Sequence, residues 1–253
     1  MLTKTFCHIP GVGYHTERSL WQAGCEDWDT FLRNPPAFNV GAPGTEAVVR
    51  EVERSKACLE NGEYQYFKKA LGMSEAWRAW PELRSSCVYL DIETNGGQSG
   101  DSITTIGLYD GKEFTCLVKG QDLANFRDLI SKYSMIVTFF GTSFDIPMLQ
   151  KLFRDVRFDQ VHLDLCPALR RLGLRGGLKK IEKQLGITRA DVAEGLSGLD
   201  AIRLWHAYSR RGNEEALQTL IAYNREDVIN LETLAEYAYN HLRRATLGLP
   251  MPT

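Results

Sequence analysis

Three groups of acidic residues have the types and spacings needed to hold a hard cation. Asp91 and Glu93, in Leu90-Asp91-Ile92-Glu93-Thr94, stand one residue apart at the end of a short apolar run. In a strand both side chains project from one face, where two like charges repel and a metal ion or polycation compensates them. Asp145 follows a second apolar run in Gly141-Thr142-Ser143-Phe144-Asp145-Ile146-Pro147 and is equally suited to cap the helix that Pro147 announces. Tyr223 and Asp227, in Tyr223-Asn224-Arg225-Glu226-Asp227, are one helical turn apart and share a face from which Glu226 turns aside. Acids at strand ends, a capping aspartate and a surface tyrosine beside a solvated acid are ordinary features one by one. Their ordered combination is not, and carboxylates are the hard oxygen ligands that Mg²⁺ and Mn²⁺ select.

The elements that would position these residues can be read from periodicity. Cys87-Val88-Tyr89-Leu90, residues 103–109 and residues 113–118 read as three strands of an antiparallel meander, with Asp110-Gly111 as a hairpin turn. A helix over 123–131, a strand over 135–140, a helix after Pro147, a short strand over 161–165 and helices to about residue 242 complete the pattern. Strands followed by alternating helix and strand predict an α/β fold, a mixed sheet covered by helices. Ahead of it, residues 34–44 (Asn-Pro-Pro-Ala-Phe-Asn-Val-Gly-Ala-Pro-Gly) form a linker between helical stretches, 16–33 on one side and 45–71 on the other. The division expected is a helical region, 1–83, and a catalytic domain, 84–245.

Composition narrows the function classes. The chain has 253 residues, 43% hydrophobic and 25% charged, and a formal net charge of -2. It can bury a core, and it is neither disordered nor coated with the excess of basic residues that binds nucleic acid indiscriminately. The run from Tyr133 to Phe144 is far short of the roughly 20 apolar residues of a bilayer span, and no apolar signal region opens the chain. A cytoplasmic location without membrane attachment is expected. Six irregularly spaced cysteines fit reduced, mostly buried thiols better than zinc ligands.

The three acidic motifs together resemble the DEDDy class of RNase-H-like 3′→5′ exonucleases, a group that includes proofreading domains of DNA polymerases. Asp91, Glu93, Asp145, Tyr223 and Asp227 match its motifs residue by residue. The tyrosine subclass is indicated because Tyr223 precedes Asp227 by four, whereas the histidine subclass would have His at 222, which is Ala. Gly198-Leu199-Asp200, Leu204-Trp205 and Tyr223-Asn224-Arg225-Glu226-Asp227-Val228 look like a bacterial, largely uncharacterised branch. The resemblance covers roughly residues 85–240. It implies a sheet of three antiparallel and two parallel strands and hydrolysis of phosphodiester bonds with two ions, Mg²⁺ or Mn²⁺. It also implies that Asp91 bridges both ions, that Glu93 and Asp227 serve the ion that activates water, that Asp145 serves the second through water, and that Tyr223 orients the attacking water. One departure stands out: relatives often carry Asn five residues before the second-motif Asp, and Phe140 is found there. Asp164 matches a recurring acid on the fifth strand, expected here as a structural partner rather than a ligand.

Two further features bear on nucleic acid. Residues 167–183 contain Arg170, Arg171, Arg175, Lys179, Lys180 and Lys183 against the single acid Glu182, a phosphate-binding strip or the solvated side of a helix whose buried side is Leu178, Ile181 and Leu185. Ile9-Pro10-Gly11-Val12-Gly13 looks like the hairpin of a helix-hairpin-helix element, in which Gly11 and Gly13 would let backbone N–H groups approach phosphate; an ordinary Pro-Gly turn is the other reading. The expected partner is nucleic acid, DNA ahead of RNA, attacked at single-stranded 3′ ends. An RNA exonuclease or an endonuclease of the same fold, and a non-catalytic nucleic-acid-binding module, are the alternatives.

Overall fold

The computed structural model describes residues 1–189 and 195–250. Its centre is β1 (Cys87–Thr94), whose alternation sends Cys87 and Tyr89 into one hydrophobic core and Val88, Leu90 and Ile92 into another. β2 (Ile103–Tyr109) and β3 (Phe114–Val118) follow as an antiparallel meander. The Asp110 carboxylate accepts the N–H groups of Lys112 and Glu113 in the turn between them. β4 (Met135–Thr138) and β5 (Val161–Asp164) are added in parallel on the other side of β1, giving the order β3-β2-β1-β4-β5. This is the mixed five-stranded sheet expected from the sequence.

Two strands end differently from the apolar pattern. β1 runs beyond its apolar stretch through Asp91 and Glu93, because pairing with β2 continues to Thr94, past an irregularity between Glu93 and Thr94. β4 stops at Thr138, two residues early, because the backbone turns at Phe140 (φ 67°) and the Phe140 N–H goes to the Asp164 carboxylate instead of to a neighbouring strand.

The helical region comprises α1 (Tyr14–Gln22), α2 (Trp28–Arg33), α3 (Thr45–Glu60), α4 (Tyr64–Glu75) and α5 (Trp80–Leu83). α6 (Phe126–Ile130) and α7 (Asp145–Leu152) cover the sheet face formed by Val88, Leu90 and Ile136. After β5 come α8 (Leu165–Arg171), α9 (Leu178–Gln184), α10 (Gly198–Arg211) and the long α11 (Glu214–Leu247). α11 buries Val228, Leu231, Leu234, Ala235 and Ala238 in the core on the opposite face, which it shares with Tyr89, Val137 and, from the helical region, Trp28, Phe67 and Trp77. Full burial of each large apolar side chain contributes about 1.5–3 kcal/mol, so the position of α11 on the sheet is fixed by its apolar stripe. No helix among the described residues is long and apolar enough to cross a membrane.

The turn at Ile9–Gly13 is organised from behind. Buried Arg78 reaches Glu17 at 3.0 Å and Glu75 at 2.6 Å, and the same Glu17 accepts the N–H groups of Phe6 (2.7 Å) and Cys7 (3.0 Å). Ile9 and Val12 are buried, Gly11 and Gly13 are exposed, and α1 starts at once after Gly13. Before the turn the described chain forms a three-residue 3₁₀ segment, Leu2–Lys4, at the place where the helix-hairpin-helix resemblance would put a first helix.

Candidate active site

β1 and α11 bring the acids together. Asp91 and Glu93 continue the strand face of Cys87 and Tyr89, the face on which α11 lies, and Tyr223, Asn224 and Asp227 occupy the part of α11 above them. Carboxylate oxygens of Asp91, Glu93 and Asp227 lie within 4.8 Å of one another. The contact depends on Gly107, opposite Asp91 on β2. A Cβ at that position would lie 2.1 Å from Asn224 Oδ1 and 2.8 Å from Val228 Cγ2, so only glycine lets the helix come this close. Asn224, fully buried, uses the approach to donate from Nδ2 to Asp91 Oδ2 at 3.0 Å.

Asp145 reaches the same cleft from the other side of β1. It does not cap α7: it is the first helical residue, and its Oδ1 accepts the Ile92 N–H at 3.0 Å, across the gap to β1. The Ile146 N–H at that end is taken by the Gly141 carbonyl, and Pro147 has none to satisfy, so the turn needs no side-chain cap. Asp164 holds the preceding loop, its carboxylate accepting the N–H groups of Phe140 (2.8 Å) and Thr142 (3.0 Å), and it caps α8 by accepting the Cys166 N–H (3.0 Å).

The resulting cleft encloses about 420 Å³ and is lined by Asp91, Glu93, Asp145, Tyr223 and Asp227, together with Phe140, Phe144, Lys179 and Lys180. Burial is the largest force on its acids. It pushes Asp91 and Glu93 well above the usual carboxylate range, with the neighbouring carboxylates adding to the effect, and it raises Asp145 to about 7. Asp227 is raised by burial too, against the pull of Arg189. Tyr223 is held above its ordinary value by burial and by Asp227, Glu93 and Asp91, so its hydroxyl keeps its proton. A group of closely packed hard-oxygen donors short of positive charge fits one or more divalent cations, Mg²⁺ and Mn²⁺ among them.

A model of the RNase H superfamily matches residues 88–239. The chain belongs to that superfamily. No curated protein and no solved structure matches it. For an RNase H superfamily domain this acidic cluster is the feature that links the fold to metal-dependent nuclease chemistry on nucleic acid.

The basic strip divides among three places. Lys179 enters the cleft: its ammonium lies 4.3 Å from the centre of the Tyr223 ring and donates to the Leu196 carbonyl, and burial lowers its pKa. Lys180 lines the rim of the same cleft. Arg170 and Arg171 line the adjoining groove, where Arg171 also bonds the Ser74 carbonyl (2.7 Å) and Glu75 (3.1 Å). Arg175 and Lys183 are exposed outside both. Glu182, the one acid of the strip, is buried and accepts from Arg189 (2.7 and 2.8 Å) and Asn230 (3.0 Å).

Arg189, absent from the sequence-based site, forms a 2.5 Å ion pair with Asp227. Nothing near it in the sequence links it to Asp227, since the pair depends on how α9 and α11 pack. Asn224 had a local signal, one residue past Tyr223 and three before Asp227 on the helix that carries both. Gly107 had only the weak one of a glycine inside a strand pattern.

Proposed function

We propose that the protein is a two-metal-ion 3′→5′ exonuclease of the DEDDy class that acts on DNA from single-stranded 3′ ends. The observation that carries this reading is the convergence of Asp91, Glu93, Asp145, Tyr223 and Asp227, from β1, α7 and α11, on one open cleft. Asp91, Glu93 and Asp227 would hold the ions, with Asp145 contributing the oxygen that Ile92 does not engage. Bound Mg²⁺ or Mn²⁺ supplies a hydroxide-like nucleophile near neutral pH and relieves negative charge on the phosphorus oxygens. Tyr223, kept protonated by its surroundings, orients the attacking water as a hydrogen-bonding group and does not act as the base. Asn224 fixes the Asp91 rotamer, and Lys179 partly offsets the carboxylate charge. Lys180 on the cleft rim and Arg170 and Arg171 in the adjoining groove would meet phosphates of the bound strand; Arg175, Lys183, Gly11 and Gly13 are exposed and line neither hollow.

A non-catalytic nucleic-acid-binding module of the same fold is the second reading, favoured by the Arg189 ion pair that engages Asp227. End-labelled single-stranded and duplex DNA and RNA, incubated with Mg²⁺, Mn²⁺ or EDTA, separate the two. A metal-dependent ladder shortening from the 3′ end, lost in Asp91→Ala while binding persists, is expected. Cleavage unchanged in Asp91→Ala would sink the active-site assignment. Intact binding without cleavage of any substrate would select the binding module, and preference for RNA or internal cuts would replace the substrate part of the proposal.

A further inference from the structure

Phe139 and Phe140 are neighbours with opposite fates. Phe139 is packed against the core, whereas Phe140 is 51% exposed and is the one non-glycine residue with positive φ (67°) among the described residues. A bulky side chain in the left-handed region is disfavoured and persists where its surroundings fix it. Here the N–H groups of Phe140 and Thr142, both accepted by Asp164, fix the loop and leave the ring in solvent. The ring lines two adjacent hollows at once. One is the acidic cleft; the other is a groove of about 460 Å³ that also contains exposed Met73, Cys166, Arg170 and Arg171.

We propose that Phe140 is a nucleobase-stacking platform that guides a single strand from the acidic cleft into the groove beside Arg170 and Arg171. The occupant is single-stranded nucleic acid because three features coincide. An exposed aromatic face stacks on any base without reading sequence. Arg170 is exposed and able to meet backbone phosphate on the far side of that ring. The groove adjoins, at Phe140, the cleft whose acids would act on the strand's end, since that residue lines both. The inference rests on the nuclease reading for its direction: with the 3′-terminal phosphodiester at the acids, the stacked base lies on the 5′ side of the bond to be cut. Asparagine at this position would suit the left-handed backbone but would offer no stacking surface, so the departure at Phe140 exchanges an easy backbone for a ring.

The test is binding of short 5′-labelled single-stranded DNA and RNA, followed by anisotropy with Ca²⁺ replacing Mg²⁺, beside cleavage by the wild type in Mg²⁺ and Mn²⁺. Phe140→Ala and Phe140→Asn should each weaken binding roughly 10-fold, while Phe140→Trp keeps it. The Phe140→Asn protein should melt no lower than the wild type, which separates lost stacking from lost folding. A single abasic nucleotide moved stepwise from the 3′ end should weaken wild-type binding at one position, and that sensitivity should vanish in Phe140→Ala. Equal affinity of wild type and Phe140→Ala, persistence of the abasic effect in Phe140→Ala, or no binding of either nucleic acid by the wild type overturns the proposal. Cleavage with unchanged Phe140 binding would overturn this inference alone, whereas position-specific stacking without cleavage would overturn the nuclease reading alone.

Discussion

Replacing Asp145 by asparagine should stabilise the metal-free protein, and the gain should grow with pH. Asp145 is 3% exposed, and burial raises its carboxyl from 3.8 to about 7. Between those values the unfolded chain gives up the proton while the folded protein retains it, so folding stability falls as pH rises. At about 1.4 kcal/mol per pH unit over roughly three pH units, the loss reaches a ceiling of about 4 kcal/mol. Asparagine carries no charge to desolvate and keeps an oxygen to accept the Ile92 N–H, so packing at the head of α7 is preserved. Thermal unfolding in EDTA should therefore find the two proteins alike near pH 3.8 and the variant more stable above pH 7. For a chain of this size the difference is roughly 2–4 °C per kcal/mol. Saturating Mn²⁺ should narrow or reverse the order by stabilising the wild type more, about 2.7 kcal/mol at a hundredfold excess over Kd. A variant less stable than wild type in EDTA at alkaline pH, or a gap independent of pH, would refute the idea that uncompensated acidic charge is concentrated here.

Two further substitutions test how the cluster is assembled. Gly107→Ala places a Cβ within 2.1 Å of Asn224 Oδ1 and should cost about 1–3 kcal/mol in urea unfolding. It should also weaken Mn²⁺ binding, measured by calorimetry, because α11 must retreat from Asp91; full stability with native metal affinity would show that the helix contact is not required. Arg189→Met removes the guanidinium ion-paired to buried Glu182 and Asp227, leaving only the more distant charge of Lys179, and should destabilise the metal-free protein by about 3–5 kcal/mol near neutral pH. Burial raises the pKa of both acids, so the loss should shrink as the pH falls and they take up protons. A deficit that stays constant on acidification would mean that Arg189 acts through packing alone.

The sheet was legible because its strands are short runs of apolar, β-favouring residues and its turn carries Asp110-Gly111, local signals that survive in one sequence. What local signals could not give were the strand ends. β1 continues through two acids because β2 pairs with it there, and β4 stops early because Asp164, from a strand distant in sequence, captures the Phe140 N–H. The same asymmetry governs Asp145: its place at the start of a helix was readable, but its bond to Ile92 is tertiary, and the expected cap gave way to it.

At the site, the acids could be found because each motif lies on one element, and the period of that element fixes which side chains coincide. The compensating charges could not. Lys179 read as one cation of a strip, yet it lies under the Tyr223 ring beside Glu93 and Asp227, while Arg189 bridges Glu182 to Asp227 from beyond α9. Both contacts follow from the docking of α9 against α11, which no period encodes. Their placement explains how a cluster of buried acids can exist before any metal arrives: Arg189 and Lys179 lower the proton affinity of Asp227, and Lys179 that of Glu93. Against burial, Asp91 has the hydrogen bond from Asn224, and Asp145 has the N–H groups of Ile92 and of its own backbone. The cluster is therefore electrostatically lopsided: Arg189 is ion-paired at the Asp227 side, and among the described residues no ion pair engages Asp91 or Asp145. Metal binding should release protons chiefly from Asp91 and Asp145, so Mn²⁺ titrations in buffers of different ionisation enthalpy should show proton release at neutral pH that falls in Asp145→Asn.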